Sequence, residues 1–303
     1  MNGFFNVYKP EGWTSFDVVA ALKRPLRQKR LGHAGTLDPT ATGVLPIAAG
    51  WATRLIEYLV DSDKEYVGRI VLGSSTDTYD AAGLEVATGD WRAVTRAMVE
   101  AGLATFVGEI EQTPPIYSAV KVAGEPAYRR VRRGETVELK KRQAVVHEIE
   151  VLGFEPPGVE IRVVCGKGTY VRSLAHDLGQ LLGCEAHLGS LARTRVGPLS
   201  IETAVSVEQL REEGLAGFAL DYLLAPDAVL RAKDAAILSS KTVEEVRQGR
   251  AVRLYPGLPA GFGRQLPLGR KCRAYSSEGA FFAVLEFAGP PALWKAEKVF
   301  PAS

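Results

Sequence analysis

Two alternating apolar runs, AVVHEIEVLGF and GVEIRVVCGKG, lie back to back across Glu155-Pro156-Pro157-Gly158. Successive side chains of a strand point to opposite faces, so each run offers one apolar face, and so short a connection lets the two pair only as an antiparallel hairpin. That excludes a purely parallel sheet of regularly alternating strands and helices. FFNVYK, VLPIAA, KEYVGRIVLG and AHLGSLARTRVGPLS read as further strands. Helical patterns fall between them. SFDVVAALKR is capped by Thr14 or Ser15 and has Phe16, Val19, Ala20 and Leu22 as its apolar face. WATRLIEYLV and residues 93–106 read as helices, and so does YVRSLAHDLGQLLG, with Val171, Leu174, Leu178 and Leu181 on one face and Gly183 past its end. The expected fold class is α+β, with a mixed, mainly antiparallel central sheet flanked by helices.

Residues 31–43, LGHAGTLDPTATG, show neither period and predict an ordered loop without a strand, and STDTYDAAG predicts a turn-rich loop. Residues 113–142, punctuated by Pro114, Pro115, Gly124, Pro126 and Gly134, predict a long excursion from the sheet, and loops of that length usually bind something. From about residue 228 the pattern changes to short strands, one helix (KTVEEVRQG), the turn-rich YPGLPAGFG and a last strand pair around Ser276-Ser277-Glu278-Gly279. The expected domains are 1–227 and a small β-rich unit, 228–303.

The formal net charge is only +2, but its distribution is uneven. Residues 23–30, KRPLRQKR, hold five basic residues and no acid, and residues 121–142 hold eight basic residues against three acids. Two such clusters point to a polyanion held at defined places. No apolar run reaches the ~18 residues of a membrane span, and the N-terminus lacks a basic stretch followed by an apolar one, so the cytoplasm is the expected compartment, with no membrane partner. The three cysteines are scattered, and Cys165, Cys184 and His187 lack the C-x₂-C spacing of a zinc site; they read as structural.

The segment GHAGTLDPTATGVLPI, residues 32–47, carries the strongest chemical signal. Asp38 precedes a proline in a Gly/Thr loop that leads into an apolar strand. A rigid loop at a sheet edge is where a reactive carboxylate is best positioned, although one Asp-Pro by itself also closes a turn.

This segment resembles the catalytic motif of the TruB family of tRNA pseudouridine synthases, G-H-x-G-x-L-D-P-x-A-T-G-x-L-P, whose reactive aspartate falls on Asp38. Further motifs follow in the same order: KEY with Tyr66, TDTYDAAG at 76–83, PIYSAVK at 115–121, KGTYVR with Tyr170 and Arg172, and the G-C-x-A-H-x-x-x-L-x-R pattern at 183–193 with Leu191. The match runs over roughly residues 3–200, and the last domain resembles a PUA-type RNA-binding domain.

The resemblance implies isomerisation of uridine-55 to pseudouridine in the T-loop of tRNA, with Asp38, Tyr66 and Arg172 as catalytic residues. It implies that His33 fills the place of the flipped base, that Tyr66 stacks on uracil, that Leu191 packs on it, and that Tyr170 meets Asp38 or the base through its hydroxyl. Lys121, Arg129, Arg130, Arg132 and Arg133, on the excursion, are expected to hold RNA. The chemistry breaks an N-glycosidic bond and rejoins the base through C5, so it needs no metal or coenzyme, and none is expected. A monomer without a guide RNA is expected. A glycoside hydrolase normally needs two carboxylates, and only one lies in a matched motif.

Overall fold

The structure, a computed structural model, describes residues 1–118, 120–122, 124–133, 135, 139–254 and 266–301, without the side chains of residues 121, 122, 126, 128, 129 and 132. The YPGLPAGFG turn therefore lies outside the described residues. In the first half of the chain lie β1 (Gly3–Lys9), α1 (Ser15–Lys23), β2 (Leu31–His33), β3 (Thr42–Ala49), α2 (Ile56–Val60), β4 (Lys64–Leu72), β5 (Ser74–Thr76), β6 (Glu85–Thr88), α3 (Arg96–Ala104) and β7 (Gly108–Gln112). There follow β8 (Lys121–Val122), β9 (Glu125–Pro126), α4 (Ala127–Arg132), β10 (Arg142–Glu155), β11 (Gly158–Cys165), α5 (Val171–Leu182), β12 (Ala186–Val196), β13 (Leu199–Ser200), β14 (Val205–Ser206) and α6 (Val207–Ala216). The last part holds β15 (Asp234–Leu238), α7 (Ser240–Arg247), β16 (Val252–Arg253), β17 (Lys271–Ser276), β18 (Phe281–Gly289) and β19 (Leu293–Val299).

The central sheet has the order β14-β1-β3-β12-β4-β11-β10-β7, with β2 beside β3 and β13 beside β12. Its β3–β12 and β1–β14 pairs are parallel and the rest antiparallel. The hairpin read from the alternating runs is β10–β11, closed by Glu155 opposite Gly158. A second sheet, β15-β17-β18-β19-β16, is the β-rich C-terminal unit. The fold is thus mixed and mainly antiparallel, as the sequence pattern indicates. Among the described residues no helix is long and apolar enough to cross a membrane.

Several local expectations need correction. Of the two candidate caps Thr14 is the one used, in a reciprocal box with Asp17. Ser15 is buried instead, bonded to the backbone of Leu37. This phase buries Val18, Val19 and Leu22 and turns Phe16 and Ala20 to solvent. On α5 the buried face is Val171, Leu174, Ala175 and Leu178, while Leu181 is 55% exposed. Gly183 ends that helix in the left-handed region, φ 68°, as its position suggests. Residues 31–33 are a strand after all: a three-residue backbone ladder to Ala49, Ala48 and Ile47 needs no apolar alternation to announce it. WATRLIEYLV is a 3₁₀ turn over Gly50–Leu55 followed by the short α2. The STDTYDAAG segment begins within β5, which pairs with β6.

Candidate active site

The loop between β2 and β3 carries Asp38. Its base is held by two buried cations that sequence reasoning missed. Lys9, fully buried at the end of β1, donates from Nζ to the carbonyls of Pro10 (2.9 Å), Trp13 (2.7 Å) and Pro39 (3.2 Å). Burial pulls its pKa down to about 8 against the attraction of Asp38. Arg193 on β12, 1% exposed, donates to Val44 O on β3 (2.8 Å) and Gly35 O near the start of the loop (3.0 Å), so it ties the loop and the strand that follows it to β12. Gly43, at φ 101°, lies so close to the backbone of Arg193 that a Cβ there would sit 2.3 Å from the Arg193 carbonyl. Only glycine fits.

Arg172, on the first turn of α5 and 5% exposed, is the hub of the site. Nη2 meets Asp38 Oδ2 at 2.9 Å and donates to Tyr117 O at 3.1 Å. Nη1 meets Asp80 Oδ2 at 3.3 Å and donates to Thr78 O at 3.1 Å. One planar fork thus joins the Asp38 loop, the 77–83 loop, the start of the excursion and α5. Asp80 is 7% exposed and caps its own loop through Thr78 Oγ1 and the amide of Ala82. Its only sequence signal was the second acid of TDTYDAAG. Burial raises the pKa of Asp38; Arg172 opposes the rise, the nearby charge of Asp80 adds to it, and Lys9 opposes it. The Asp38 side chain keeps 41% of its surface, so one side of the carboxylate stays open.

A narrow cleft of about 10 Å³ lies beside Asp38, lined by Thr40, Asp80, Arg172, Leu188, Ser190 and Leu191 among others. Beyond Thr40, Gly189, Ser190 and Leu191, which line both spaces, is a wider one of about 300 Å³ that reaches Glu11, Arg69 and Glu160. Leu191 stands opposite Gly68 on β4, and Arg193 opposite Tyr66. Tyr66 and Leu191, both half-buried, each pack against two neighbouring hydrophobic clusters, one around β4, β11 and α5 and the other around β1, β3 and α1. Burial raises the pKa of the Tyr66 phenol, opposed by the charge of Arg193, which also hydrogen-bonds its side chain.

The other sequence candidates fall less centrally. His33, on β2, has a buried Nδ1 without a hydrogen-bond partner among the described residues; burial and Arg193 lower its pKa, opposed by a hydrogen bond to the Gly35 backbone. Tyr170 caps α5, and its backbone exchanges two hydrogen bonds with the Gln112 side chain; its hydroxyl makes no hydrogen bond to Asp38 among the described residues. On the excursion, Arg130 pairs with Glu135 (2.7 Å), and Arg133 with Glu125 (2.6 Å) and Glu135 (2.7 Å). The side chains of Lys121, Arg129 and Arg132 lie outside the described residues. His187 bonds the carbonyl of Ser74 at 2.9 Å, and Cys165 and Cys184 are buried.

The sequence matches the profile of the TruB family pseudouridylate synthase N-terminal domain over residues 23–171, and that of the tRNA pseudouridylate synthase B C-terminal domain over residues 172–230. It is 42% identical over 273 residues to tRNA pseudouridine synthase B of Geobacter sulfurreducens, covering 90% of each chain. It is 40% identical to the protein of that name from Dehalococcoides mccartyi, covering 99% of this chain and 97% of that one. It is 51% identical to the one from Thermobifida fusca, over 70% and 75% of the two chains. Among solved structures it resembles a chain of a Cbf5-Nop10-Gar1 complex, with TM-score 0.75 and 30% identity, covering 99% of this chain and 85% of that one.

Proposed function

Because the chain belongs to the TruB family of pseudouridylate synthases, isomerases that form pseudouridine in tRNA, we propose that Asp38 is its reactive carboxylate and uridine-55 of the T-loop its target. The observation that carries this reading is the double bridge of Arg172 to Asp38 and Asp80. The Arg172 charge opposes the burial that raises the pKa of Asp38 and so favours the ionised form, while one side of the carboxylate faces the cleft.

The reaction cleaves the bond from uracil N1 to C1′, turns the base and joins C5 to C1′; C5 loses a proton and N1 gains one, so that product and substrate are isomers. The anionic oxygen of Asp38 acts at the reacting centre as the first bond breaks. Tyr66 offers a ring face to the detached base and a hydroxyl set by Arg193, and Leu191 closes the opposite wall. His33, neutral at physiological pH because burial lowers its pKa, takes the place of the flipped uridine. Tyr170 lines the approach to the base, and the cations of the excursion hold the RNA backbone. The working unit is a monomer that recognises the folded T-loop directly, without a guide RNA, in the cytoplasm with its substrate.

The test is incubation with an unmodified tRNA transcript in buffer containing EDTA, followed by mapping of pseudouridine. One new pseudouridine, at position 55, is the expected result. A pseudouridine elsewhere overturns the position, and none at all overturns the reading.

A further inference from the structure

We propose that the solvent face of α1 and the segment after it form a second RNA-binding surface. In it Phe16 stacks on a base, and Lys23, Arg24, Arg27, Lys29 and Arg30 hold phosphates of the duplex that continues from the loop presenting the uridine. The proposal rests on the tRNA reading above and extends it to a surface outside the cleft.

Phe16 is 67% exposed on a helix whose other large apolar residues are buried. Ala20, Lys23 and Arg24 are exposed too, and at helical spacing they continue the same face away from the cleft; Arg27, exposed as well, lies just past the helix end. Lys29 and Arg30 are also exposed. None of these five cationic side chains has an ion pair or hydrogen bond among the described residues. The one acid on α1, Asp17, is engaged by Thr14 in the helix cap. An exposed aromatic beside unpaired cations suits a nucleic acid, whose bases stack and whose phosphates are charged.

The surface is firmly mounted. Leu26 is 2% exposed, Gln28 Nε2 donates to Met1 O at 2.9 Å, and the Gly50 amide donates to Arg30 O at 2.9 Å. It is also continuous with the site. At its near end α1 meets the catalytic loop, where Ser15 Oγ accepts from the Leu37 amide at 2.9 Å. Eight residue steps at about 1.5 Å set Lys23 roughly 12 Å further along. From Arg30 the chain passes directly into β2, which delivers His33 and then the Asp38 loop. An RNA seated over His33 and Asp38 therefore has this surface beside its stem.

The experiment compares the parent with a variant carrying Lys23→Gln, Arg24→Gln, Arg27→Gln, Lys29→Gln and Arg30→Gln, and separately with Phe16→Ala. The RNAs are full-length tRNA transcript and a hairpin that keeps the T-loop on a short, G·C-clamped stem. The altered side chains are exposed, and thermal melts check that the fold is kept. For the five-fold variant, tRNA affinity should fall tenfold or more, and the log–log salt slope should shrink by about 0.7 to 0.9 for each phosphate that is no longer neutralised. Its turnover at saturating tRNA and its affinity for the hairpin should stay at the parent's values. Phe16→Ala should weaken tRNA binding by about fivefold or more with the salt slope unchanged. Parent-like tRNA affinity and slope in the five-fold variant overturn the proposal and leave the surface to a different partner, such as an acidic protein. An equal loss on tRNA and hairpin overturns it too, because the cations would then be holding the loop itself. If the parent itself makes no pseudouridine in either RNA, the failure is that of the underlying tRNA reading and not of this surface.

Discussion

Asp38 is held in a contest between burial, which favours its neutral form, and the Arg172 fork, which favours the charge. Its pKa is raised above the ordinary 3.8, so its ionisation lowers stability as pH rises from 3.8 through the folded pKa, and that cost is absent below 3.8. Asp38→Asn should therefore abolish turnover while leaving the Tm at neutral pH unchanged or higher; a Tm lower by several degrees would mean that the ion pair outweighs burial. If the ionised form is the active one, kcat/KM should fall on acidification with a midpoint above pH 3.8. Asp80→Asn removes a like charge and should shift that acid limb to lower pH, read from kcat/KM measured at several pH values. An unmoved limb would show that Asp80 does not act on Asp38 electrostatically. Tyr66→Phe keeps the stacking ring and loses the hydroxyl, so RNA binding should persist and kcat fall; parent-like kcat would confine Tyr66 to stacking.

The excursion leaves the sheet after Gln112 and returns at Arg142, which stand opposite each other on β7 and β10. It is not structureless, because β8, β9 and α4 fold within it. Its charge is partly satisfied at home: Glu125 pairs with Arg133, and Glu135 folds back onto both Arg130 and Arg133. Exposed pairs of this kind contribute little, so RNA phosphates can displace them. Neutralising Arg129, Arg130, Arg132 and Arg133 together should weaken tRNA binding and flatten its salt dependence while saturating turnover falls much less. Titrations at several salt concentrations check it, and unchanged affinity and slope would remove the excursion from the RNA-binding surface. At the same scale, α1 shows how one cap sets a helix's phase: the Thr14–Asp17 box turns Phe16 outward, against a reading from apolar spacing alone.

Across the whole molecule, the C-terminal sheet is built onto the catalytic sheet and shares a core with it. Phe4, Val44 and Ala48 from β1 and β3 pack in one cluster with Leu230, Phe281, Val284 and Phe300. Trp51 stacks on Phe300 with ring centroids 4.5 Å apart, Arg54 donates to Val299 O at 2.7 Å, and Tyr58 donates to Glu297 at 2.6 Å. Lys298 pairs with Glu57. Phe300, 2% exposed, fills the seam, and Phe300→Ala should cost about 3–5 kcal/mol. Urea unfolding followed by tryptophan fluorescence should show one transition in the parent, shifted to lower urea in the variant. Two separate transitions in the parent would show that the sheets fold independently.

The order of short motifs along the chain was enough to read the fold class and to single out Asp38, Arg172 and Tyr66 as candidates, of which Asp38 and Arg172 meet in the folded chain. Each of those motifs is a local segment whose glycines, prolines and polar residues already dictate a particular backbone. Strand alternation likewise marks the β10–β11 hairpin, whose partners are neighbours in sequence. What the sequence left open depends on partners far apart in the chain. Asp80 joins the site because Arg172 reaches it from across the fold. Lys9 and Arg193 are buried because carbonyls of the loop and of β3, including those of Pro39, Gly35 and Val44, close over them. A cation looks solvent-exposed in a sequence, and only packing can supply the carbonyls that let it be buried. The outward turn of Phe16, the pairing of the excursion's arginines and the seam between the two sheets were decided in the same way, by interactions that exist only once the chain has folded.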